Sequence, residues 1–207
     1  MRRPTRTTLA VAITAAVSSL LASSPAQADR TNGCTPGALS QPFAPWGDPS
    51  YYGLLPNGGF ERGASAWSLD GQAQVVSGNE SFHVQDDSDS NALNLGESGG
   101  ATSDPVCATL QDPTLRLFAR NTGSPLSALV VSAQFVDGSG QQRTLPLAVI
   151  NSSAPWQPTA PILIDVNLLN LPAVSDGTTN VSFSFTPVGP DGNWTIDDVY
   201  LDPFKTK

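Results

Sequence analysis

Two adjacent carboxylates interrupt an apolar run near the C-terminus: Trp194-Thr195-Ile196-Asp197-Asp198-Val199-Tyr200-Leu201. Side chains of an extended strand alternate between faces, so Trp194 pairs with Ile196 and Val199 with Leu201. From Ile196 to Val199 the step is three, and the apolar phase slips at the aspartates. For Ile196 and Val199 both to face a core, the strand must bulge at Asp197-Asp198. A bulge would re-aim two carboxylates at the rim of a sheet. The competing reading is an ordinary edge strand with solvated acids.

Carboxylates support two chemistries here. With further oxygens they hold a hard cation, which takes six to eight oxygen ligands. As a flanking pair they hydrolyse glycosidic bonds. The candidates for the second are Glu61, Glu80, Asp86, Asp197 and Asp198, but separated acids are ordinary in an acidic chain, and hydrolysis ranks last. His83 would have to serve any serine or cysteine nucleophile; between Phe82 and Val84 it reads as a packed or surface residue. Two cysteines and one histidine make zinc improbable. Sugar rings stack on exposed aromatics. Trp156, between Pro155 and Pro158, is the best loop aromatic, followed by Tyr51 and Tyr52. The prolines tilt Trp156 toward packing, and Trp67 and Trp194 read as core.

The elements that position these residues begin after a leader. Met1 to Arg6 is basic, Leu9 to Leu21 is apolar, and Ala26-Gln27-Ala28 is a cleavage site, so residues 1–28 read as a secretory signal peptide. The apolar run is too short to stay in a bilayer. The leader removes three of the ten basic residues and none of the 18 acids. Such an acidic surface repels nucleic acid and anionic membrane, and suits neutral ligands and cations. In a secreted chain Cys34 and Cys107 read as a disulfide. Closing so long a loop is worth roughly 2–4 kcal/mol.

Residues 29–55 carry Pro36, Pro42, Pro45 and Pro49 among Phe43, Trp46, Tyr51 and Tyr52. Prolines at this density forbid helix and interior strand, while the aromatics argue for an ordered strap over the domain. Residues 56–207 read as all-β. Strands are expected from Phe60-Glu61, Trp67–Leu69, Ala73–Val76, Ser81–Val84, Ala92–Leu95, Thr114–Arg120, Leu129–Phe135, Arg143–Ile150, Ile162–Ile164, Val181–Phe185 and Trp194–Leu201. Gly96 to Asp104 reads as a glycine-serine connection, and Val166 to Leu171 as one helical turn. Many short strands without an amphipathic helix give a β-sandwich or jelly roll.

Asn57-Gly58-Gly59-Phe60-Glu61 with Ala66-Trp67-Ser68-Leu69, the block ending Asn91-Ala92-Leu93-Asn94-Leu95, and Ile196-Asp197-Asp198-Val199 together resemble galactose-binding-like jelly-roll carbohydrate-binding modules. The chain as a whole is similar to a group of small secreted actinobacterial proteins. The resemblance implies neighbouring first and last strands, with a structural calcium held by Glu61, Asp197 or Asp198 and loop carbonyls. It implies a non-catalytic module for a glycan or cell-wall polysaccharide. The alternative is a structural, surface-associated envelope protein without sugar binding. Nothing in the sequence sets an oligomeric state.

Overall fold

Alternation of apolar and polar residues gives most strands here two unlike faces, and the apolar faces close on one another. The structure is a computed structural model, and it describes residues 37–109, 114–137, 140–151, 154–164 and 178–202. The leader, Cys34 and the turn expected at 166–171 lie outside the described residues. In chain order the strands are β1 (Leu39–Ser40), β2 (Tyr52–Leu54), β3 (Trp67–Asp70), β4 (Gln74–Ser77), β5 (Asn91–Asn94), β6 (Gly100–Ser103) and β7 (Val106–Thr109). They continue with β8 (Thr114–Asn121), β9 (Ala128–Val136), β10 (Gln142–Ile150), β11 (Gln157–Pro158), β12 (Ile162–Leu163), β13 (Thr178–Val188) and β14 (Trp194–Asp202).

They form two antiparallel sheets, a β-sandwich jelly roll. The first runs β1-β2-β14-β5-β4, with β8 against β14 and the short β11 and β12 against β8. The second runs β10-β9-β13-β6-β3, with β7 against β13. Leu93, Leu115, Leu117, Trp194, Ile196 and Val199 of the first sheet meet Trp67, Val131, Ala133, Phe183 and Phe185 of the second in one buried core. The opening segment and the last strand lie side by side: Leu54 is opposite Tyr200 and Gly53 opposite Leu201.

The bulge is where the apolar phase slips. Asp197 is opposite Phe118 and Tyr200 opposite Arg116, so β14 carries one extra residue against β8. Asp198 absorbs it in the left-handed region, at φ 49°, which aspartate tolerates better than most residues. Ile196 and Val199 are then both fully buried.

Residues 37–55 cover the outer face of the first sheet and also extend it: against the expectation of no interior strand there, β2 pairs with both β1 and β14, its three residues falling between Pro49 and Pro56. Phe43 stacks on Phe118 with centroids 5.4 Å apart and meets Tyr52 edge-on at 5.0 Å. A 3₁₀ turn at Ala44–Trp46 is closed by Gly47 at φ 80°, whose N–H donates to the Ala44 carbonyl. Arg116 fastens this strap, with its guanidinium 4.0 Å from the Phe43 ring centroid and a 2.6 Å ion pair to Asp48. Asp48 also accepts from the Tyr52 hydroxyl at 2.7 Å.

Three local expectations are corrected. Phe60-Glu61 begins no strand: the Asn57 side chain bonds the carbonyls of Gly63 and Ser65 and the N–H of Arg62, which shapes a run of turns. Ser81–Val84 is also irregular, because the Glu80 carboxylate takes the N–H groups of Phe82 and Val84 that a ladder would need. Conversely, the glycine-serine stretch contains β6, which pairs between β3 and β13 with Ser103 opposite Trp67 and Ala101 opposite Phe185.

Candidate functional site

The bulge and the loops around it enclose a carboxylate group. Asp197 is fully buried and both its oxygens are used: Oδ2 accepts the Glu80 N–H at 2.9 Å and Oδ1 accepts the Asp198 N–H at 2.9 Å. Glu80, fully buried too, turns its carboxylate onto the loop that follows it. Glu61 fastens the start of β5, accepting from the N–H groups of Ser90 and Asn91 at 2.9 and 2.7 Å and from Asn91 Nδ2 at 2.9 Å.

Asp198 differs. It is 1 % exposed, and neither carboxylate oxygen has a hydrogen-bond partner among the described residues. Burial, with Glu80, Asp89 and Glu61 nearby, pushes its carboxyl up to about 8. Burial and the Asp198 charge push Asp197 up to about 9, against the two N–H bonds it receives. Enclosed carboxylates at this density need protons or a cation. A β-carbon added to Gly59 would lie 2.9 Å from both Asp198 Oδ1 and Gln85 Oε1, so two oxygens converge over a bare glycine. No three acidic or imidazole side chains form a ready cage among the described residues. A cation here would take Asp198, Gln85 and main-chain carbonyls, with Glu61 alongside. The donors are all oxygen, which suits calcium rather than a softer metal.

The aromatic candidates separate. Tyr52 is 1 % exposed within the strap, and Trp156 is 6 % exposed beneath Arg120, so neither offers a free ring face. Tyr51 is 46 % exposed. His83 stands in an exposed turn at φ 49°, with Nδ1 3.2 Å from the Asn79 amide.

A second feature lay outside the sequence reading. At the end of the sandwich away from the bulge, a cavity of about 690 Å³ opens between four connections, those joining β3 to β4, β5 to β6, β8 to β9 and β13 to β14. Gln72, Gln74, Asn94 and Asn193 line it with amides, Glu97 and Asp191 add carboxylates, and Gly71, Gly96 and Gly123 form bare walls. Asn94 Nδ2 donates to Asn193 Oδ1 at 2.7 Å. Among the described residues, Asn94 Oδ1 and Asn193 Nδ2 have no further side-chain hydrogen bond and face the cavity's other polar groups. A cavity of about 610 Å³ between β10 and β12 is lined mostly by aliphatic side chains such as Leu147, Val149 and Ile162.

No family model matches the chain, and no curated protein matches it. Solved structures do. The family 22 carbohydrate-binding and GH10 modules of Clostridium thermocellum xylanase 10B, in complex with xylohexaose, match with TM-score 0.53 and 14 % identity over 73 % of this chain and 29 % of that one. The tandem CBM22-1–CBM22-2 domain of Paenibacillus barcinonensis Xyn10C matches with TM-score 0.52 and 11 % identity over 75 % and 46 %. The tailspike protein 4 active domain of bacteriophage CBA120 matches with TM-score 0.50 and 16 % identity over 72 % and 21 %. The chain spans less than half the length of each of these three. Likeness at such identities establishes the fold.

Proposed function

We propose that this protein is a secreted, non-catalytic binding module for a glycan, a polysaccharide of a cell wall or surface. The amide-lined cavity at the end of the sandwich carries the reading. A sugar hydroxyl both donates and accepts, and a side-chain amide does both from neighbouring atoms. The Asn94–Asn193 pair, locked by its own hydrogen bond, presents one spare acceptor beside one spare donor pair, a match for adjacent hydroxyls. The jelly-roll frame, seen elsewhere in a structure complexed with xylohexaose, supports a polysaccharide ligand.

Binding without turnover fits the acids. A glycosidase needs two carboxyl groups flanking an open cleft. Glu80, Asp197 and Asp198 are shut inside the protein. Glu97 and Asp191 do flank the open cavity; they act here as hydroxyl acceptors, and reducing sugar released and lost on Glu97→Gln would overturn that role.

Two supports complete the reading. A calcium ion on Asp198, with Gln85, Glu61 and loop carbonyls, would supply positive charge to the buried acids and pin the opening segment to β14. The unpartnered Asp198 oxygens support this. A Cys34–Cys107 disulfide would tether the strap; no free cysteine stands among the described residues, and non-reducing mass spectrometry that found two thiols would reject it.

Calorimetric titration with xylo-, gluco- and galacto-oligosaccharides tests the binding reading. One series should bind, and Asn94→Ala with Asn193→Ala should lose at least tenfold in affinity with an unchanged melting temperature. Undiminished binding by the double variant would move the ligand to another site.

A further inference from the structure

Among the described residues Arg120 is a cation without a counter-ion, in a protein whose 18 acidic residues outnumber its 10 basic ones. We infer that it reads a carboxylate on the bound glycan, so that the ligand is a neutral polysaccharide carrying isolated uronic-acid residues. This rests on the glycan-binding reading above and specifies the substrate class of that site.

Arg116, Phe118 and Arg120 alternate along β8 on the outer face of the first sheet, away from the core that holds Leu115, Leu117 and Ala119. Arg116 is satisfied by Asp48 and the Thr159 carbonyl. Arg143 pairs with Asp137. Arg120 has neither hydrogen bond nor ion pair among the described residues, and its Nε is buried without an acceptor. Its guanidinium carbon instead lies over the Trp156 ring, 4.7 Å from the centroid. A charged group fixed in advance on an aromatic face loses little side-chain entropy when a ligand arrives. Stacking leaves the terminal nitrogens of the fork free for a planar carboxylate.

Register places Arg120 in line with the amide cavity. Arg120 is opposite Thr195 on β14, Thr195 is opposite Asn94 on β5, and Asn94 is opposite Gln74 on β4. Cross-strand partners share a face, so one polar row crosses the sheet and ends in the cavity that Asn94 and Gln74 line. Two inter-strand spacings, roughly 10 Å, separate Asn94 from Arg120. On the next row, Phe118 is covered by Phe43 and Trp46 of the strap. Thr195, between them, is buried, so a glycan would bridge the two ends of the row, placing hydroxyls on Asn94 and Asn193 and a neighbouring acidic substituent at Arg120.

Charge limits the ligand further. A strongly acidic surface repels a polyanion, and this row offers one unpaired guanidinium. Isolated uronates on a neutral backbone fit both facts; a chain charged at every residue fits neither.

The test uses glucuronoxylan, native and after chemical reduction of its uronic acids to neutral sugars, with affinity read by gel retardation and calorimetry. The wild-type protein should bind the native polymer about tenfold more tightly than the reduced one, the contribution of one charge-assisted contact at a solvated site. Added salt should shrink that ratio. Arg120→Gln should bring it to one, and Arg120→Lys should restore part of it. If Arg120 merely packs on Trp156, Arg120→Gln will lower the melting temperature and leave the ratio intact. That result, or equal wild-type affinity for both polymers, overturns the inference and leaves the glycan reading standing. Failure to bind either polymer while another polysaccharide series binds overturns the inference alone; failure with every series removes the glycan reading as well.

Discussion

Asp198→Asn changes a charge and almost nothing else. The amide has the carboxylate's shape, and asparagine accepts the left-handed backbone that Asp198 adopts at φ 49°. In the cation-free protein this carboxyl is enclosed, has no hydrogen-bond partner and is pushed up to about 8. Between an ordinary carboxylate value and that point the folded protein holds a proton that the unfolded chain has released. Each pH unit in the interval therefore costs the wild type about 1.4 kcal/mol for this one group. The variant carries no such slope, so without cation at pH 8 it should be at least as stable as the wild type. Calcium should reverse the order. At 100 times its dissociation constant it adds about 2.7 kcal/mol to the protein that binds it, or about 5–11 °C in a domain of this size. The assay is calorimetric unfolding at pH 8 with chelator and with calcium. An equal calcium shift in wild type and variant would show that Asp198 is no ligand. No shift in either would remove the ion from the account.

Three further outcomes are expected. In chelator, stability should fall as pH rises from about 4 and level off near 9, because Asp197 and Asp198 are held up to about 9 and about 8 and the fold keeps their protons; calcium should flatten that slope, and denaturant titrations from pH 5 to 9 read it. Asp48 runs the other way: burial opposes its charge, but bonds from Tyr52, Ser50 and Arg116 hold it at about 2, so its contribution is present above about pH 4 and lost as pH falls toward 2. Asp48→Asn should cost about 3 kcal/mol by stranding buried Arg116, and a change below 0.5 kcal/mol would mean the strap is not fastened there. Gly59→Ala places a methyl 2.9 Å from Asp198 Oδ1 and Gln85 Oε1, so it should abolish the calcium shift; elemental analysis finding a full equivalent of calcium would contradict the cradle.

What could be read from the sequence depended on how local the signal was. The bulge at Asp197-Asp198 announces itself in eight consecutive residues, because Ile196 and Val199 cannot share a face otherwise. The burial of the strap was legible from Phe43 and Tyr52, since aromatics among prolines have an apolar area to bury; that Tyr52 does so from a strand of the sheet was not. Glu80 gave no such signal. In a polar loop it reads as a solvated acid, yet its N–H reaches Asp197 across 117 positions and its carboxylate replaces a strand partner. Small residues hid β6, because Gly100–Ser103 has turn composition and becomes a strand through the bulk of its neighbours. The polar row was least accessible: Gln74, Asn94, Arg120 and Thr195 are unremarkable until the register of four strands aligns them.

The central claim is binding without turnover, and one measurement addresses it directly. The protein is incubated with insoluble xylan, β-1,4-galactan, β-glucan and cell-wall polysaccharide, and both the protein left in solution and the reducing sugar released are followed. The account predicts saturable depletion by at least one polymer, competed by its soluble fragments, with no reducing ends appearing. Protein that stays in solution with every polymer, or sugar released in proportion to enzyme-like amounts of protein and lost on Glu97→Gln, would contradict it.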